Sequence, residues 1–279
     1  MELVEWQTAI DGAVYFDSPL EHQIQAFALV VSHRAEEAIA ALGDNAKAIW
    51  EESRKLMRDV ETLVRAGQPV PHTAVHAVAA SVVEQSDDTV FFDMIRVLRD
   101  HHSETLVHSL DMGLTALLLG RHVGVRGKSD QYLLFEAGML HDLGKTEIPL
   151  AILNKPGKLT ADEFAAIRRH PLSSERILRE SGGYDQQLIL ASVQHHEKND
   201  GTGYPHGLAS RQISEIGRLM AVCDVYCALT ERRAYKSQTS SQESFAIMDT
   251  MTGHHLDPVL VGRLKEMVYG CSAAPLAAD

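Results

Sequence analysis

The stretch MLHDLGKTEIP, residues 139–149, places a histidine directly before an aspartate within an apolar segment of the chain. The neighbouring leucines and methionine are typical of a buried helix, and Pro149 ends that pattern. Burial of an imidazole or a carboxylate costs free energy unless a partner satisfies it. We therefore expect a metal ion or another polar group beside His141 and Asp142.

The composition is that of a folded protein. Apolar residues make up 45% of the 279 residues, which is enough for a substantial core. The longest apolar runs, such as FALVV at 27–31, are too short to span a bilayer, and the acidic N-terminus MELVEWQ is not typical of a signal peptide. Three cysteines form no disulfide framework and suit a reducing compartment. These features predict a cytoplasmic protein with no membrane association.

The charges narrow the class of substrate. The formal net charge is −12, and phosphate contacts need a basic surface, so binding to a nucleic-acid polymer is disfavoured. An anionic substrate would need local positive charge. The chain also has 15 histidines against 26 lysines and arginines. Because histidine is the commonest side-chain metal ligand and titrates near neutral pH, this excess favours metal binding or acid–base chemistry.

Helical periodicity runs through nearly the whole chain. Apolar residues recur at spacings of three and four, and no segment shows convincing strand alternation. Thr160 and Glu163 have the spacing of a capping box at a helix start. These patterns predict an all-α fold. The predicted helices cover about 20–42, 45–66, 72–84, 89–99, 171–181, 184–197, 213–231, 241–252 and 257–269.

Five short elements carry His, Asp and Glu side chains at spacings suited to metal binding. Residues four apart share a helix face, so Glu104 and His108 can hold one ion. Adjacent helix residues point about 100° apart, so the His-Asp and His-His pairs can address different ions. Each element alone has an ordinary packing explanation, but five together favour a multi-metal site. The elements supply Glu104, His108, His141, Asp142, His170, His195, His196 and Asp224.

These motifs resemble the HD-GYP domain, a branch of the HD phosphohydrolase superfamily. The matching segments are HS at 108–109, HDLGK at 141–145, LNKPGKLTADEF at 153–164, HP at 170–171, HHEKNDGTGYP at 195–205 and DVYCALTERRAYK at 224–236. So many ordered motifs make the resemblance specific. It implies an all-α HD-type phosphohydrolase domain over residues 96–279, preceded by a smaller helical region at 1–95 with a regulatory, dimerisation or scaffold role.

The resemblance implies a metal-dependent phosphodiesterase of bacterial signalling. The expected reaction is hydrolysis of cyclic di-GMP to linear pGpG, and in some members onward to GMP, by a hydroxide shared between metal ions. A ligand set without thiolate suits iron or manganese. Glu104 matches the position that holds a third ion in some members, which favours three ions over two. The other implied metal ligands are His108, His141, Asp142, His170, His195, His196 and Asp224.

The resemblance also assigns residues to catalysis and substrate binding. Lys145 matches a lysine that contacts phosphate and helps the leaving oxygen, and Asp142 is the expected bridging carboxylate. Arg233 and Lys236 match a basic pair and would supply the local positive charge. The loop with Gly203 and Tyr204 borders the active site in the family, and signalling protein partners could also contact it.

Two departures from the family pattern keep alternatives open. Cys227 replaces a usual aspartate, and Ala234 replaces a proline. Because Cys227 lies three residues after Asp224, we expect it to face the site, where an aspartate would orient Lys145 or contact the substrate. The alternatives are an HD phosphohydrolase acting on another cyclic dinucleotide or nucleotide, and a weakly active or inactive cyclic di-GMP signalling module. The amphipathic helices of the N-terminal region could complete the core, form a homodimer or transmit a signal.

Overall fold

Helices form the regular structure of this protein, as the sequence predicts. The structure is a computed structural model that describes residues 36–85, 87–101, 105–153, 155, 157–231 and 239–272. Within these ranges the β-type pairing consists of one isolated bridge, between Thr252 and Leu256. A helical segment at 36–40 is followed by α1 (Asp44–Arg65), α2 (His72–Glu84), α3 (Asp88–His101), α4 (Thr105–His122), α5 (Lys128–Leu140), α6 (Leu150–Leu153), α7 (Ala161–Ile167), α8 (His170–Ser181), α9 (Gln186–Gln194), α10 (Glu215–Thr230), α11 (Ser241–Met251) and α12 (Pro258–Ser272). Short 3-10 helices cover Leu143–Glu147 and Ser210–Gln212.

Most predicted helix bounds agree with the observed ones. The prediction of 72–84 coincides with α2, and the capping box of α7 is present, with the Glu163 N–H donating to Thr160 Oγ1 and the Thr160 N–H donating to Glu163 Oε2. The predicted helix 184–197 is too long, because α9 ends at Gln194 and the chain then turns. Most of the predicted helix 20–42 lies outside the described residues.

The core of the fold is built around α4, α5 and α10. Between Val107 and Gly120, α4 is buried on nearly all sides, and so is α10 from Ile216 to Thr230, as expected of central helices. The axes of α4 and α5 come close at two glycines, since a Cβ atom on Gly138 would lie 2.5 Å from the Gly113 Cα. None of the described helices has the length and apolar character needed to cross a membrane.

A buried ion pair fixes α3 against this core. Arg99 donates two hydrogen bonds of 2.8 Å to the carboxylate of Asp111 on α4, and its guanidinium lies 3.2 Å from Thr115 Oγ1. The same guanidinium lies 4.6 Å from the centre of the Tyr226 ring, on α10. Cys227 completes the contact, with its Sγ 3.6 Å from Arg99 Nη2. One arginine thereby connects three helices through a planar, multidentate contact.

Removal of one partner of this ion pair should destabilise the fold strongly. Asp111→Ala leaves the Arg99 charge buried without a carboxylate, and we expect it to lower the free energy of unfolding by about 3–5 kcal/mol. Urea denaturation followed by circular dichroism measures this change.

Two variants control for the location and the charge. Asp59→Ala removes one partner of the exposed Lys55–Asp59 pair and should cost less than about 1 kcal/mol. The double replacement Arg99→Met with Asp111→Leu should recover much of the lost stability, because it leaves no unpaired buried charge. A cost of Asp111→Ala no larger than that of Asp59→Ala would contradict the assigned role of the pair.

Candidate metal centre

The predicted metal ligands that the structure describes converge from five helices. Each is placed on a central helix or at a helix end, where the chain can present a polar side chain without interrupting apolar packing. The shortness of α9 matters here, because the turn after it gives two consecutive histidines different directions. His108 lies on α4, His141 and Asp142 follow α5, His170 begins α8, His195 and His196 follow α9, and Asp224 lies on α10.

The first ligand cluster consists of His108, His141 and Asp142. One potential ligand atom from each side chain lies within 4.8 Å of those of the other two. Asp224 adjoins this cluster, because its Oδ1 lies 3.3 Å from His108 Nε2 and 4.0 Å from His141 Nε2. Two imidazoles and two carboxylates therefore face one small region between α4, α5 and α10.

The second ligand cluster consists of Asp142, His170, His195 and His196, and it shares Asp142 with the first. The Asp142 Oδ1 lies 3.2 Å from His170 Nε2 and 3.8 Å from His195 Nε2, while Oδ2 lies 3.1 Å from His141 Nε2. Asp224 also lies beside both clusters, because its Oδ1 is near the first cluster and its Oδ2 lies 3.9 Å from His196 Nδ1 in the second. Both carboxylates thus reach towards two neighbouring groups of imidazoles.

Backbone carbonyls orient three of the imidazoles. The Nδ1 atoms of His141, His170 and His195 lie 2.8, 2.8 and 2.9 Å from the carbonyl oxygens of Gly138, Ile167 and Ser192. A carbonyl oxygen only accepts, so each Nδ1 carries a proton and donates it. In the neutral form of such a ring, the Nε2 lone pair points into the clusters, and this is the tautomer that binds a metal ion.

The resulting arrangement leaves electron-rich atoms facing one another. Nε2 of His170 lies 3.3 Å from Nε2 of His195, and two rings in the neutral Nδ1–H form have no proton to share at this contact. Nε2 of His141 and Oδ1 of Asp142 are buried and have no hydrogen-bond partner among the described residues. Burial of unpaired acceptors is costly, and a cation between them removes that cost. The donor set of imidazole nitrogens and carboxylate oxygens therefore fits a transition-metal ion in each cluster.

The protonation states of the second ligand cluster also favour metal binding. Burial, together with the charge that His141 and His170 would carry if protonated, lowers the pKa of His195 to about 3. Burial and the neighbouring His195 hold the pKa of His196 well below its ordinary value. Burial opposes ionisation of Asp142, but His141 and Lys145 outweigh it and hold its pKa well below the usual range. In the second ligand cluster, neutral His195 and His196 beside an ionised Asp142 are in the protonation states that metal binding requires.

Lys145 reaches this centre directly. Its Nζ lies 2.6 Å from Asp142 Oδ2, and 22% of the side chain is exposed, so a ligand in solvent can approach it. The expectation that position 227 would orient Lys145 is wrong. The Cys227 thiol lies 3.6 Å from both Thr115 Oγ1 and Arg99 Nη2, within the ion pair that fixes α3. Asp142 is the residue of this centre that holds Lys145.

The loop after α9 packs against His196 of the second ligand cluster. Tyr204 is 4% exposed, and its ring stacks on His196 at a centroid distance of 4.8 Å. Gly203 lies so close to the preceding turn that a Cβ atom would sit 2.6 Å from the His196 carbonyl oxygen. The Arg168 guanidinium covers the ring of Tyr204 at 4.7 Å. Contact of Gly203 and Tyr204 with substrate stays a prediction, whereas their packing positions His196.

Three predicted site residues lie outside the described residues: Glu104, Arg233 and Lys236. Sequence reasoning also missed residues that the structure brings to the centre. Glu231 is buried at the end of α10, with its Oε2 3.9 Å from His108 Nδ1, and the acidic residue within the TERR stretch was its only signal. Ser174 donates to the His141 carbonyl and accepts from the Gly144 N–H, which fixes the turn after the ligand pair.

A family model described as an HD domain matches residues 94–260. The chain is 48% identical over 122 residues to a cyclic di-GMP phosphodiesterase of Pseudomonas aeruginosa, an alignment covering 44% of this chain and 29% of the relative. It is 33% identical over 162 residues to a 3′3′-cGAMP-specific phosphodiesterase of Vibrio cholerae, covering 58% of this chain and 35% of that protein. Further curated relatives are named cyclic di-GMP phosphodiesterases.

The fold also has a counterpart among solved structures. An HDG"Y"P protein from Bdellovibrio bacteriovorus superposes with a TM-score of 0.65 at 17% sequence identity, covering 91% of this chain and 82% of that one. At this identity the likeness shows the helical fold alone. The chain spans less than half the length of the curated relatives it matches.

Metal content should report the sharing of Asp142 between the two clusters. After reconstitution with Mn²⁺, we expect His141→Ala and His196→Ala each to lose part of the bound manganese, because each change affects one cluster. Asp142→Asn should lose more than either, since its carboxylate serves both. Elemental analysis of protein whose helicity is checked by circular dichroism measures these losses.

The matched control is His122→Ala, which removes an imidazole beside Glu266 that belongs to neither cluster. Its manganese content should equal that of the parent protein. A folded Asp142→Asn variant with the parent's full manganese content would show that the carboxylate holds no ion.

Proposed function

We propose that this chain, which belongs to the HD domain family and within it to the HD-GYP branch, is a metal-dependent phosphodiesterase that hydrolyses cyclic di-GMP. One observation carries the proposal: six described side chains of the implied ligand set come together in two clusters that share Asp142, and the seventh, Asp224, lies beside both clusters. The names of several relatives support the substrate. The expected products are pGpG and, with a second hydrolysis, GMP.

The proposed cofactors are two or three transition-metal ions, iron or manganese. The clusters offer imidazole and carboxylate donors and no thiolate, a set that suits these ions. Glu104 would add a carboxylate for a third ion, as the family resemblance implies. When bound, the ions would lower the pKa of a water molecule and stabilise the charge that develops on the phosphoryl group.

The chain's own residues then have separate tasks. Asp142 and Asp224 hold both clusters at a fixed spacing, and the backbone-bonded histidines keep their tautomers without reorganisation during the reaction. Lys145 is charged, partly exposed and held 2.6 Å from Asp142, so it can bind a phosphate oxygen and hydrogen-bond to the leaving 3′ oxygen. Arg233 and Lys236 would add the positive charge that an anionic diester needs on an acidic protein.

Several wider assignments belong to the same proposal. We place the protein in the cytoplasm, with cyclic di-GMP as its small-molecule partner. The loop that contains Gly203 and Tyr204 is the surface that we propose for signalling protein partners, and the N-terminal region is the candidate homodimer interface. The thiol of Cys227 contacts Arg99 and Thr115. The cysteine therefore gives no reason to expect that Lys145 is catalytically inactive.

A second substrate has a specific observation in its favour. The relative of Vibrio cholerae described above is named for 3′3′-cGAMP, a cyclic dinucleotide with the same diester chemistry. Both substrates would use the same ions and the same lysine. The two candidates differ only in base recognition, which makes relative kcat/KM the quantity that separates them.

Hydrolysis should depend on Asp142 and Lys145 in different ways. Asp142→Asn should reduce cyclic di-GMP hydrolysis below detection together with metal content, because both clusters lose a charged ligand. Lys145→Ala should keep the metals and lower kcat about 10²-fold, the usual cost of losing one electrostatic contact to the transition state. Chromatographic product analysis measures both rates, with Lys145→Ala compared with the parent at matched metal occupancy.

Lys128→Ala is the matched control, because Lys128 is an exposed lysine at the start of α5 that pairs with Glu84. We expect it to hydrolyse the dinucleotide as fast as the parent. Parent-like turnover by Asp142→Asn would refute the proposed chemistry.

Substrate preference should favour cyclic di-GMP. We expect its kcat/KM to exceed that of 3′3′-cGAMP by at least about tenfold, which corresponds to about 1.4 kcal/mol in transition-state binding. Steady-state kinetics with both dinucleotides on one metal-loaded preparation measures the ratio. A ratio reversed in favour of 3′3′-cGAMP would move the assignment to the second substrate, and no hydrolysis of either would remove both.

A further inference from the structure

A third group of potential metal ligands lies apart from the two clusters. His72 and His76 stand one turn apart on α2, and Glu136 lies opposite them on α5. One ligand atom of each residue lies within 4.8 Å of those of the other two. The tightest contact joins His76 Nδ1 and Glu136 Oε1 at 2.8 Å. None of these residues belongs to the ligand set implied by the family resemblance.

Aromatic neighbours hold the two imidazoles in place. The rings of His72 and His76 stack with centroids 5.6 Å apart and an angle of 23°. Tyr184 meets the His72 ring edge-on at 5.1 Å, and Tyr132 meets the His76 ring edge-on at 5.2 Å. Such packing restricts the rotamers of both histidines. The two imidazoles would therefore lose little side-chain conformational entropy when they bind a metal ion.

Glu136 has the character of a buried ligand that needs a cation. Only 6% of its side chain is exposed, whereas 48% of the His76 side chain is exposed. Burial raises the pKa of Glu136, while the charge of a protonated His76 would lower it. A neutral imidazole gives the carboxylate a hydrogen bond but no compensating charge. A divalent ion would supply that charge and still be reached by solvent from the His76 side.

We propose that His72, His76 and Glu136 form a second metal site, which binds one Zn²⁺ ion with a solvent molecule in the remaining position. Two imidazoles and one carboxylate are an established ligand set for tetrahedral zinc with an open fourth position. The inference does not depend on the phosphodiesterase activity, because it uses none of the residues assigned to that centre.

The position of this site gives it a structural consequence. Glu136 lies on α5 five residues before His141, so the helix that leads into the ligand pair also carries a zinc ligand. The two histidines belong to α2, within the N-terminal region predicted at 1–95. Zinc bound here would hold α2 on α5. It should raise the unfolding temperature by binding the folded state in preference to the unfolded one.

Zinc stoichiometry tests the proposal. The full-length protein and the variants His72→Ala, His76→Ala and Glu136→Gln are dialysed against the same free Zn²⁺ concentration, and bound zinc is measured by elemental analysis. Each variant should bind about one ion per chain fewer than the parent, while His122→Ala, which also removes an imidazole beside a glutamate, should match the parent. Equal zinc content in the parent and in all three folded variants would overturn the proposal.

A second measurement does not depend on how the variants fold. Zinc-edge anomalous diffraction from crystals of the unmodified protein soaked in Zn²⁺ should give a peak between His72, His76 and Glu136. Peaks confined to the two ligand clusters would overturn the site. Hydrolysis of cyclic di-GMP by manganese-loaded His76→Ala should match that of the parent, so failure of the zinc site and failure of the proposed activity give different results.

Discussion

The bidentate reach of Asp142 is the constraint on which the rest of this structure depends. One oxygen faces His170 and His195, and the other faces His141 and Lys145, at distances between 2.6 and 3.8 Å. Cations between this buried carboxylate and the two groups of imidazoles would satisfy both groups without protonating the rings. Every helix that brings a ligand must therefore end or pass within a few ångströms of one point in the core.

Close backbone contacts at glycines and a buried ion pair, none of which belongs to the ligand clusters, bring these helices together. Gly113 and Gly138 let α4 and α5 approach closely, so that the rings of His108 and His141 come to a centroid distance of 5.4 Å. Gly144 allows the turn after the His-Asp pair to lie against α8, where a Cβ atom would meet the His170 carbonyl oxygen at 2.0 Å. The buried Arg99–Asp111 pair keeps α3 on this assembly. Precision at the site thus comes from close backbone contacts as well as from the ligands.

Local pattern predicted the all-α fold and most of the helix bounds, although not those of α4 and α5. Ordered motifs predicted which of the described polar side chains converge, but side-chain direction was not predictable. Asp224 and Cys227 are three residues apart on α10, so they point about 60° apart, and on a helix buried all round each direction meets a different neighbour. Spacing alone therefore put Cys227 beside Lys145, whereas the fold put it beside Arg99. The sequence pattern did not predict the group of His72, His76 and Glu136 either, because Glu136 joins the histidine pair only through the packing of α2 on α5. The stacking of Tyr204 on His196 likewise depends on the path of a loop that periodicity does not describe.

The most direct test of this account is the location of the metal ions themselves. Anomalous diffraction at the manganese edge, from crystals of the reconstituted protein, should show two peaks about 3.5–4 Å apart, one in each ligand cluster, with Asp142 contacting both. A third peak beside Glu104 would extend the same arrangement. A single peak, or two peaks of which only one contacts Asp142, would contradict the shared carboxylate on which the proposed chemistry rests.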